Sequence, residues 1–236
     1  MILWDVLRRG EWGELQRSGV LRDLSDARDL DPADPRYRQM MVPHEWFRGQ
    51  VAQRIGPPPE GVSFPTELYG LEKPDMRSTC FEYMGDEVVR LRLEVPDDRL
   101  VLFDDGGWCL ALMLSPFFWT EADYDAFDAE IAAKGYDFDD RWDSENTELM
   151  AMIVQTWERI FDVETAWGDV YVPPCAAVWE LRLDWIKSAE VFKTRKSSGG
   201  KDVSTSGGGP SAVEVAERFM EDYSDVFEKL TEGTEN

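Results

Sequence analysis

Few residues in this sequence are of types suited to catalysis or metal binding, and they are widely spaced. The chain of 236 residues contains one histidine, His44, and three cysteines, Cys80, Cys109 and Cys175. A single imidazole excludes His-rich metal sites and mechanisms that need two histidines. Because the cysteines are odd in number and form no C-x-x-C pair, we expect no disulfide framework and a reducing, cytoplasmic location.

Carboxylates are the most abundant candidate ligands between residues 117 and 148. A calcium loop needs ligands at fixed odd spacings, a central glycine and a bidentate glutamate at its last position. The aspartates here do not follow that pattern, so we expect no metal site and no cofactor. They are typical instead of a solvated acidic face over buried aromatic residues, or of a surface that binds a basic partner and could imitate nucleic-acid phosphates. The candidate binding residues of this segment are Asp123, Asp125, Asp137, Asp139 and Asp140.

Glu180 is the candidate catalytic residue. It lies in an alternating stretch near the end of the folded region, where it is similar to the late-strand glutamate with which ADP-ribosyltransferases stabilise an oxocarbenium-like ribose. Such an enzyme would use nicotinamide adenine dinucleotide (NAD). The first strand of those enzymes supplies an Arg or His, whereas residues 2–5 here are Ile-Leu-Trp-Asp and only Arg8 or Arg9 could substitute. The other interpretation of Glu180 is an outward-facing strand residue beside Arg182.

Arg77 is a candidate anion-binding residue. Its planar guanidinium could bind a phosphate or a carboxylate of a ligand. It follows Pro74-Asp75, and it could equally form a structural ion pair with Asp75 or Glu82.

The charge of the chain is strongly negative and unevenly distributed. The formal net charge is −23, and residues 61–192 contain 29 Asp/Glu against 10 Lys/Arg, a net charge of −19. Neutralising phosphates requires an excess of Lys and Arg, so the simplest kind of nucleic-acid binder is excluded, and binding to an anionic membrane surface is disfavoured. We expect no secretory signal, because residues 1–7 include the acidic Asp5 and precede Arg8-Arg9, the wrong order for a signal peptide. We expect no membrane span, because the longest apolar run, 108–119, is about half as long as a bilayer span.

Hydrophobic periodicity predicts a single α+β domain over residues 1–192, with a small mixed or antiparallel sheet packed by helices. Thr120 is a typical N-cap for a helix that Gly135 closes, and Pro43 would kink or split an earlier helix. After a turn at 96–98 we expect a return strand, and the apolar run 108–114 is either a helix or a buried strand. The predicted helices are 11–18, 36–55, 121–134 and 145–161, and the predicted strands are 88–95, 100–103 and 176–183.

The composition changes in the last part of the chain. A flexible Gly/Ser-rich linker is predicted over 193–210, an amphipathic helix over 211–231 and a disordered tail over 232–236. Met220, Tyr223 and Phe227 lie on the apolar stripe of that helix. Because so short a helix is marginal alone in water, either its stripe docks on this domain, on a second copy or in a partner's groove, or the segment is a disordered tail with only nascent helicity.

A series of short motifs runs in order along residues 2–192. It consists of Leu3-Trp4, Trp12, Leu15, Gly19-Val20-Leu21, Arg54 to Val62 (RIGPPPEGV), Lys73 to Arg77 (KPDMR), Leu93 to Asp98 (LEVPDD), Trp157 to Asp162 (WERIFD) and Trp179 to Leu183 (WELRL). Together they resemble a bacterial and phage family known only as domain of unknown function number 3841. The resemblance implies a shared fold and a phage or mobile-element context, but no established activity.

The chain departs from the pattern of that family at two places. The family has aromatic residues where this chain has 66–70, and a Trp-His pair followed by Asn where it has Trp108-Cys109 and Met113. A family site built on that histidine or asparagine would therefore be absent here.

These features favour an acidic, cytoplasmic interaction or regulatory protein over an enzyme. We expect its acidic half to bind a protein partner with a basic surface, and to bind neither nucleic acid directly nor a membrane. The alternative is an ADP-ribosyltransferase-like enzyme that uses NAD, with Glu180 as its catalytic carboxylate. A third class is an assembly protein of a phage or mobile element, and the sequence leaves the oligomeric state open.

Overall fold

Eight strands and five α-helices form the part of the chain that the computed structural model describes, residues 1–193 without 23, 26, 28, 29, 35, 78–86, 144 and 164–172. The strands are β1 Ile2–Arg8, β2 Val20–Arg22, β3 Thr66–Leu68, β4 Glu87–Glu94, β5 Val101–Phe103, β6 Cys175–Val178, β7 Glu180–Arg182 and β8 Ile186–Lys193. The helices are α1 Arg9–Ser18, α2 Tyr37–Ile55, α3 Asp105–Leu112, α4 Glu121–Ala133 and α5 Thr147–Thr156. All of these elements lie within one compact unit, Met1–Gly199.

The strands form three antiparallel sheets with the orders β1-β4-β8, β2-β7 and β3-β6-β5. In β4 the side chains of Val89, Leu91 and Leu93 are fully buried and alternate with Arg90 and Arg92, as the period of two predicts. The first and third sheets meet at an isolated bridge between Trp4 and Gly70. The predicted α+β class is confirmed, and all the strand pairs that the structure describes are antiparallel.

Two predicted strands are arranged differently from the expectation. β5 follows the turn after β4, but it pairs with β6 instead of returning along β4. The stretch 176–183 is divided at Trp179, where the chain passes from the sheet of β6 to the sheet of β7. The indole Nε1 of Trp179 donates to the carbonyl oxygen of Gly56 at 2.9 Å. A contact between residues so far apart in the sequence cannot be predicted from the alternation of apolar and polar residues along a strand.

The helix signals of the sequence are local, and most of them are confirmed. α4 begins after Thr120, whose hydroxyl accepts from the backbone N–H of Asp123 at 3.2 Å. Pro43 lies inside α2 without splitting it. The helix predicted over 145–161 is shorter: α5 ends at Thr156, and the chain continues as a 3₁₀ turn over Trp157–Phe161.

The apolar run 108–114 lies mostly in α3. Asp104 caps this helix, because its Oδ1 accepts from the backbone N–H of Gly107 at 2.6 Å. The cap also fixes the directions of Asp105 and Cys109, which lie one turn apart on the same side of α3.

Strand β6 separates two apolar cores. Ala177 packs into a core formed with the helices, whereas Ala176 and Val178 pack into a core formed with the first sheet and α1. The helical core includes Phe47, Val51, Phe103, Trp108, Phe117, Phe127, Ile131, Leu149, Ile153 and Trp157. The other core includes Leu3, Leu7, Leu15, Leu21, Leu68, Val89, Leu91, Leu93 and Leu181. β6 is therefore buried on both faces and contacts both cores.

The predicted linker, C-terminal helix and tail lie outside the described residues, apart from Lys193, which ends β8. Met220, Tyr223 and Phe227 are therefore outside them as well. Within the described ranges, none of the helices combines the length and the apolarity that crossing a membrane requires.

Candidate functional site

Helix α4 carries solvated carboxylates beside a buried apolar face. Phe127 and Ile131 are buried, and no basic residue occurs within the helix. Four of its exposed carboxylates make no hydrogen bond or ion pair with any residue that the structure describes: Glu121, Asp125, Asp128 and Glu130. At about 100° per residue, Glu121, Asp125 and Asp128 lie within about 60° of one another, and we name these three the acidic helix face; Glu130 lies on the opposite side of the helix. The fifth carboxylate, on Asp123, accepts from the hydroxyl of Thr120 at 2.8 Å and so belongs to the N-cap.

The three predicted aspartates after α4 stabilise their own 3₁₀ turn, Phe138–Trp142. Asp137 accepts from the backbone N–H of Asp139 at 3.1 Å, and Asp140 accepts from the backbone N–H of Asp137 at 2.8 Å. Asp139 accepts from the guanidinium of Arg141 at 3.1 Å. Among the residues that the structure describes, no three His, Cys, Asp or Glu side chains are placed to hold a metal ion. Of the predicted acidic residues, Asp125 is therefore the one with its carboxylate free of local bonds.

Glu180 lies opposite Arg22 in the β2-β7 ladder. Its Oε1 accepts from Nε of Arg22 at 2.6 Å and lies 2.5 Å from Nη2 of the same guanidinium. Its Oε2 lies 4.0 Å from Nη1 of Arg182. Glu180 is thus held between two arginines, with one oxygen paired and the other within reach of a further donor.

Glu180 also lines a groove of about 320 Å³, which we name the Trp–Arg groove. Its lining is mainly aromatic and proline, with two arginines and one glutamate: Ile55, Pro57, Pro59, Pro96, Arg99, Trp179, Glu180, Arg182 and Trp185. The hydrogen bond from Trp179 to Gly56 fixes the proline segment against the bend between β6 and β7. Concave sites of about 300–1,000 Å³ with apolar walls and a few polar groups are typical of small-molecule binding.

Arg77 does not lie in this groove. Its guanidinium donates to both carboxylate oxygens of Asp75, at 3.0 and 2.9 Å. This ion pair holds the pKa of Asp75 below its usual range. Since both side chains are exposed, the pair is a local surface feature that leaves part of the Arg77 fork open to solvent.

A further cluster of carboxyl and thiol groups was not predicted from the sequence. Glu67 of β3 accepts from Nε1 of Trp108 at 3.0 Å, and the thiol of Cys175 lies 3.1 Å from the carbonyl oxygen of Tyr69. The carboxyl group of Asp105, which shares a side of α3 with Cys109, also interacts with the Cys175 thiol. The sequence signal was Asp104-Asp105 followed by Cys109, but the partners from β3 and β6 come from distant parts of the chain.

Burial disfavours the ionised forms of Asp105, Cys109 and Cys175 in this cluster. Burial, and then the neighbouring Asp104, raise the pKa of Asp105. Burial and the same carboxylates raise the pKa values of the thiols of Cys109 and Cys175 far above neutrality. Because the thiolate is the nucleophilic form, neither thiol is activated for nucleophilic catalysis. Burial likewise lowers the pKa of His44 to about 4, so its imidazole is neutral between the rings of Phe64 and Trp108.

Comparison with known families agrees with the motif series. The sequence profile described as Domain of unknown function (DUF3841) matches residues 3–187. The chain belongs to this family. No curated protein and no solved structure matches the chain.

Three of the motifs that carry the DUF3841 resemblance meet at the Trp–Arg groove. The segment RIGPPPEGV supplies Ile55 and two prolines, LEVPDD supplies Pro96, and WELRL supplies Trp179, Glu180 and Arg182. The segments are far apart in the sequence, and the fold brings them to one surface of this DUF3841 chain.

Proposed function

We propose that this chain is an acidic interaction protein that binds a basic protein surface through the acidic helix face of α4. The observation that carries the proposal is the set of three exposed carboxylates on one side of α4, unpaired among the described residues. The cytoplasmic location and the phage or mobile-element context expected from the sequence are part of the same proposal.

The acidic helix face is unfavourable for the helix itself. Asp125 follows Glu121 by four residues and precedes Asp128 by three, and like charges at these spacings each destabilise a helix by about 0.2–0.5 kcal/mol. Glu121 lies in the first turn of α4, where the helix dipole favours a carboxylate, and so offsets part of this repulsion. A basic partner would relieve the repulsion that remains.

The spacing of these carboxylates defines the partner they would fit. Glu121 and Asp128 are separated by two turns, or about 10 Å along the helix axis. Lys or Arg side chains at a similar separation would meet carboxylates that are already held in place, and the surrounding negative charge would raise the association rate.

The test is affinity capture from a lysate of the native host with the full chain, followed by calorimetry with the captured protein. The variant Asp125→Asn/Asp128→Asn removes two charges from the acidic helix face. Its matched control, Glu14→Gln/Glu60→Gln, removes two exposed charges elsewhere. Both are compared at about 0.1 M and about 1 M salt, between which the Debye length falls from about 10 Å to about 3 Å.

A basic partner that the control variant retains and the α4 variant binds at least about tenfold more weakly supports the proposal. That difference corresponds to about 1.4 kcal/mol, or roughly half of it for each carboxylate. A partner whose affinity is the same for both variants, or the same at both salt concentrations, contradicts it.

The alternative enzyme is favoured by one observation, the position of Glu180 in a groove. The ion pair with Arg22 leaves its Oε2 as the oxygen that could stabilise an oxocarbenium-like ribose. An ADP-ribosyltransferase would release nicotinamide from NAD, and Glu180→Gln would abolish the turnover. Absence of NAD binding in calorimetry at millimolar concentration would remove this candidate.

A further inference from the structure

The Trp–Arg groove contains cations in a chain of strongly negative charge. Arg99 has a side chain that is 65% exposed, and its closest carboxylate is Asp98, 3.8 Å from Nε. Within the described ranges its two terminal nitrogens have no hydrogen-bond partner. Arg182 is held by both oxygens of Asp184, and its Nη1 is directed to neither of them. The groove therefore offers guanidinium donors to an anion.

The remaining walls of the groove are suited to a flat ring. Trp185 is half-buried, and its indole Nε1 donates to no residue that the structure describes. Trp179 is nearly buried, and its Nε1 is already bound to Gly56, so its ring rather than its donor lines the groove. Aromatic faces bind flat rings by stacking whatever the identity of the ring.

Glu180 adds an acceptor between the ring walls and the arginines. Because Arg22 binds Oε1, the Glu180 side chain stays in place while Oε2 remains able to accept from a ligand hydroxyl. A carboxylate in this position would repel a bare anion, and it selects for an anion that also carries hydroxyl donors.

We propose that the Trp–Arg groove is a binding site for a flat-ringed, hydroxylated anion of nucleoside monophosphate size. Its volume of about 320 Å³ lies at the small end of the range for ligand sites, which suits a mononucleotide better than a dinucleotide. The ring stacks on Trp185, the phosphate binds Arg99 with support from Arg182, and a ribose hydroxyl donates to Glu180. This binding requires no reaction and is independent of the acidic helix face.

The test is calorimetric titration of the full chain with three probes: adenosine 5′-monophosphate, adenosine and ribose 5-phosphate. The nucleotide contains ring, hydroxyls and phosphate, and each of the other probes lacks one of these parts. Arg99→Gln removes the exposed guanidinium and is compared with Arg17→Gln, which makes the same charge change on α1. Trp185→Leu removes the aromatic face while keeping an apolar side chain.

We expect the nucleotide to bind more tightly than either partial probe. Arg99→Gln should weaken its binding about three- to tenfold, and Trp185→Leu should weaken the binding of the nucleotide and adenosine alike. Arg17→Gln and the α4 variant Asp125→Asn/Asp128→Asn should bind the nucleotide like the unchanged chain, which separates this proposal from the proposed function. No binding of the nucleotide, equal binding of all three probes, or equal losses in Arg99→Gln and Arg17→Gln would overturn the proposal.

Discussion

Asp5 is a carboxyl group on the apolar side of β1, between Leu3 and Leu7 and opposite Leu91. Burial raises its pKa to about 7, although the backbone N–H groups of Val6 and Tyr69 donate to it and act in the opposite direction. The folded chain therefore keeps a proton on Asp5 at pH values at which the unfolded chain has released it.

This shift predicts a loss of stability as the pH rises. Between the ordinary pKa of about 4 and the folded value of about 7 the native state binds more protons, so the free energy of unfolding falls by on the order of 4 kcal/mol across that window and is level above it. His44, whose pKa is lowered to about 4, acts oppositely, because its contribution is lost as the pH falls from about 6.5. Asp5→Asn isolates the first effect, because it keeps a neutral polar group at this position.

Urea unfolding of the unchanged chain and Asp5→Asn at about pH 5 and about pH 8 measures the effect. We expect the variant to gain stability relative to the unchanged chain at the higher pH. A difference in unfolding free energy that is the same at both pH values would show that Asp5 ionises normally.

At the scale of elements, Gly70 is where the first and third sheets touch. Its backbone exchanges two hydrogen bonds with Trp4, of 2.7 and 3.2 Å, and its φ is 117°. A Cβ at Gly70 would lie 2.2 Å from the carbonyl oxygen of Pro174, a contact that only backbone movement could relieve. Gly135, after α4, also has a positive φ, of 83°, but a Cβ there would meet nothing within 4 Å.

We therefore expect substitution by alanine to lower the free energy of unfolding by different amounts at Gly70 and Gly135. In Gly135→Ala the free energy of unfolding falls only by the backbone strain of the left-handed region, about 1–2 kcal/mol. Gly70→Ala adds the clash with the backbone of Pro174, which directly precedes β6, and we expect a loss of at least about 3 kcal/mol in the free energy of unfolding. Equal losses in urea denaturation would mean that the backbone between Gly70 and Pro174 adapts freely.

Helices and strands whose ends or periodicity are marked by their own residues were predictable from the sequence. α4 has Thr120 before it and Gly135 after it, and β4 has a clean alternation, so both were predicted to within a residue or two. β8 was missed because it is an edge strand whose residues are mostly exposed, which leaves no apolar period. β3 has three residues, too few for any pattern.

The two candidate sites also differ in how far the sequence alone predicts them. A helical period places the carboxylates of the acidic helix face without reference to the rest of the chain, but of these residues only Asp125 was among the predicted binding residues. The Trp–Arg groove could not be predicted, because its residues come from the end of α2, the turn after β4 and the bend at Trp179. Only tertiary contacts such as the hydrogen bond from Trp179 to Gly56 join those segments.

At the scale of the whole molecule, repulsion among carboxylates competes with a modest set of surface ion pairs. The chain has a net charge of −23, and the pairs that the structure describes are mostly exposed, such as Lys187 with Glu94 at 2.6 Å and the N-terminal ammonium with Asp97 at 2.9 Å. Exposed pairs contribute about 0–1 kcal/mol each, and salt weakens them. Salt also weakens the repulsion, which acts among many more charges over longer distances.

The balance predicts that salt stabilises the fold. Raising sodium chloride from about 0.01 M to about 0.1 M shortens the Debye length from about 30 Å to about 10 Å, and it screens the long-range repulsion before it affects contact pairs. If the net relief is about 1 kcal/mol, the midpoint of thermal unfolding rises by about 2–4 °C. The rise should be smaller in Asp125→Asn/Asp128→Asn, which has less repulsion to relieve, when both are measured by circular dichroism. A midpoint that falls with salt would mean that the ion pairs outweigh the repulsion, and that the charge on residues 61–192 is balanced locally in the folded chain.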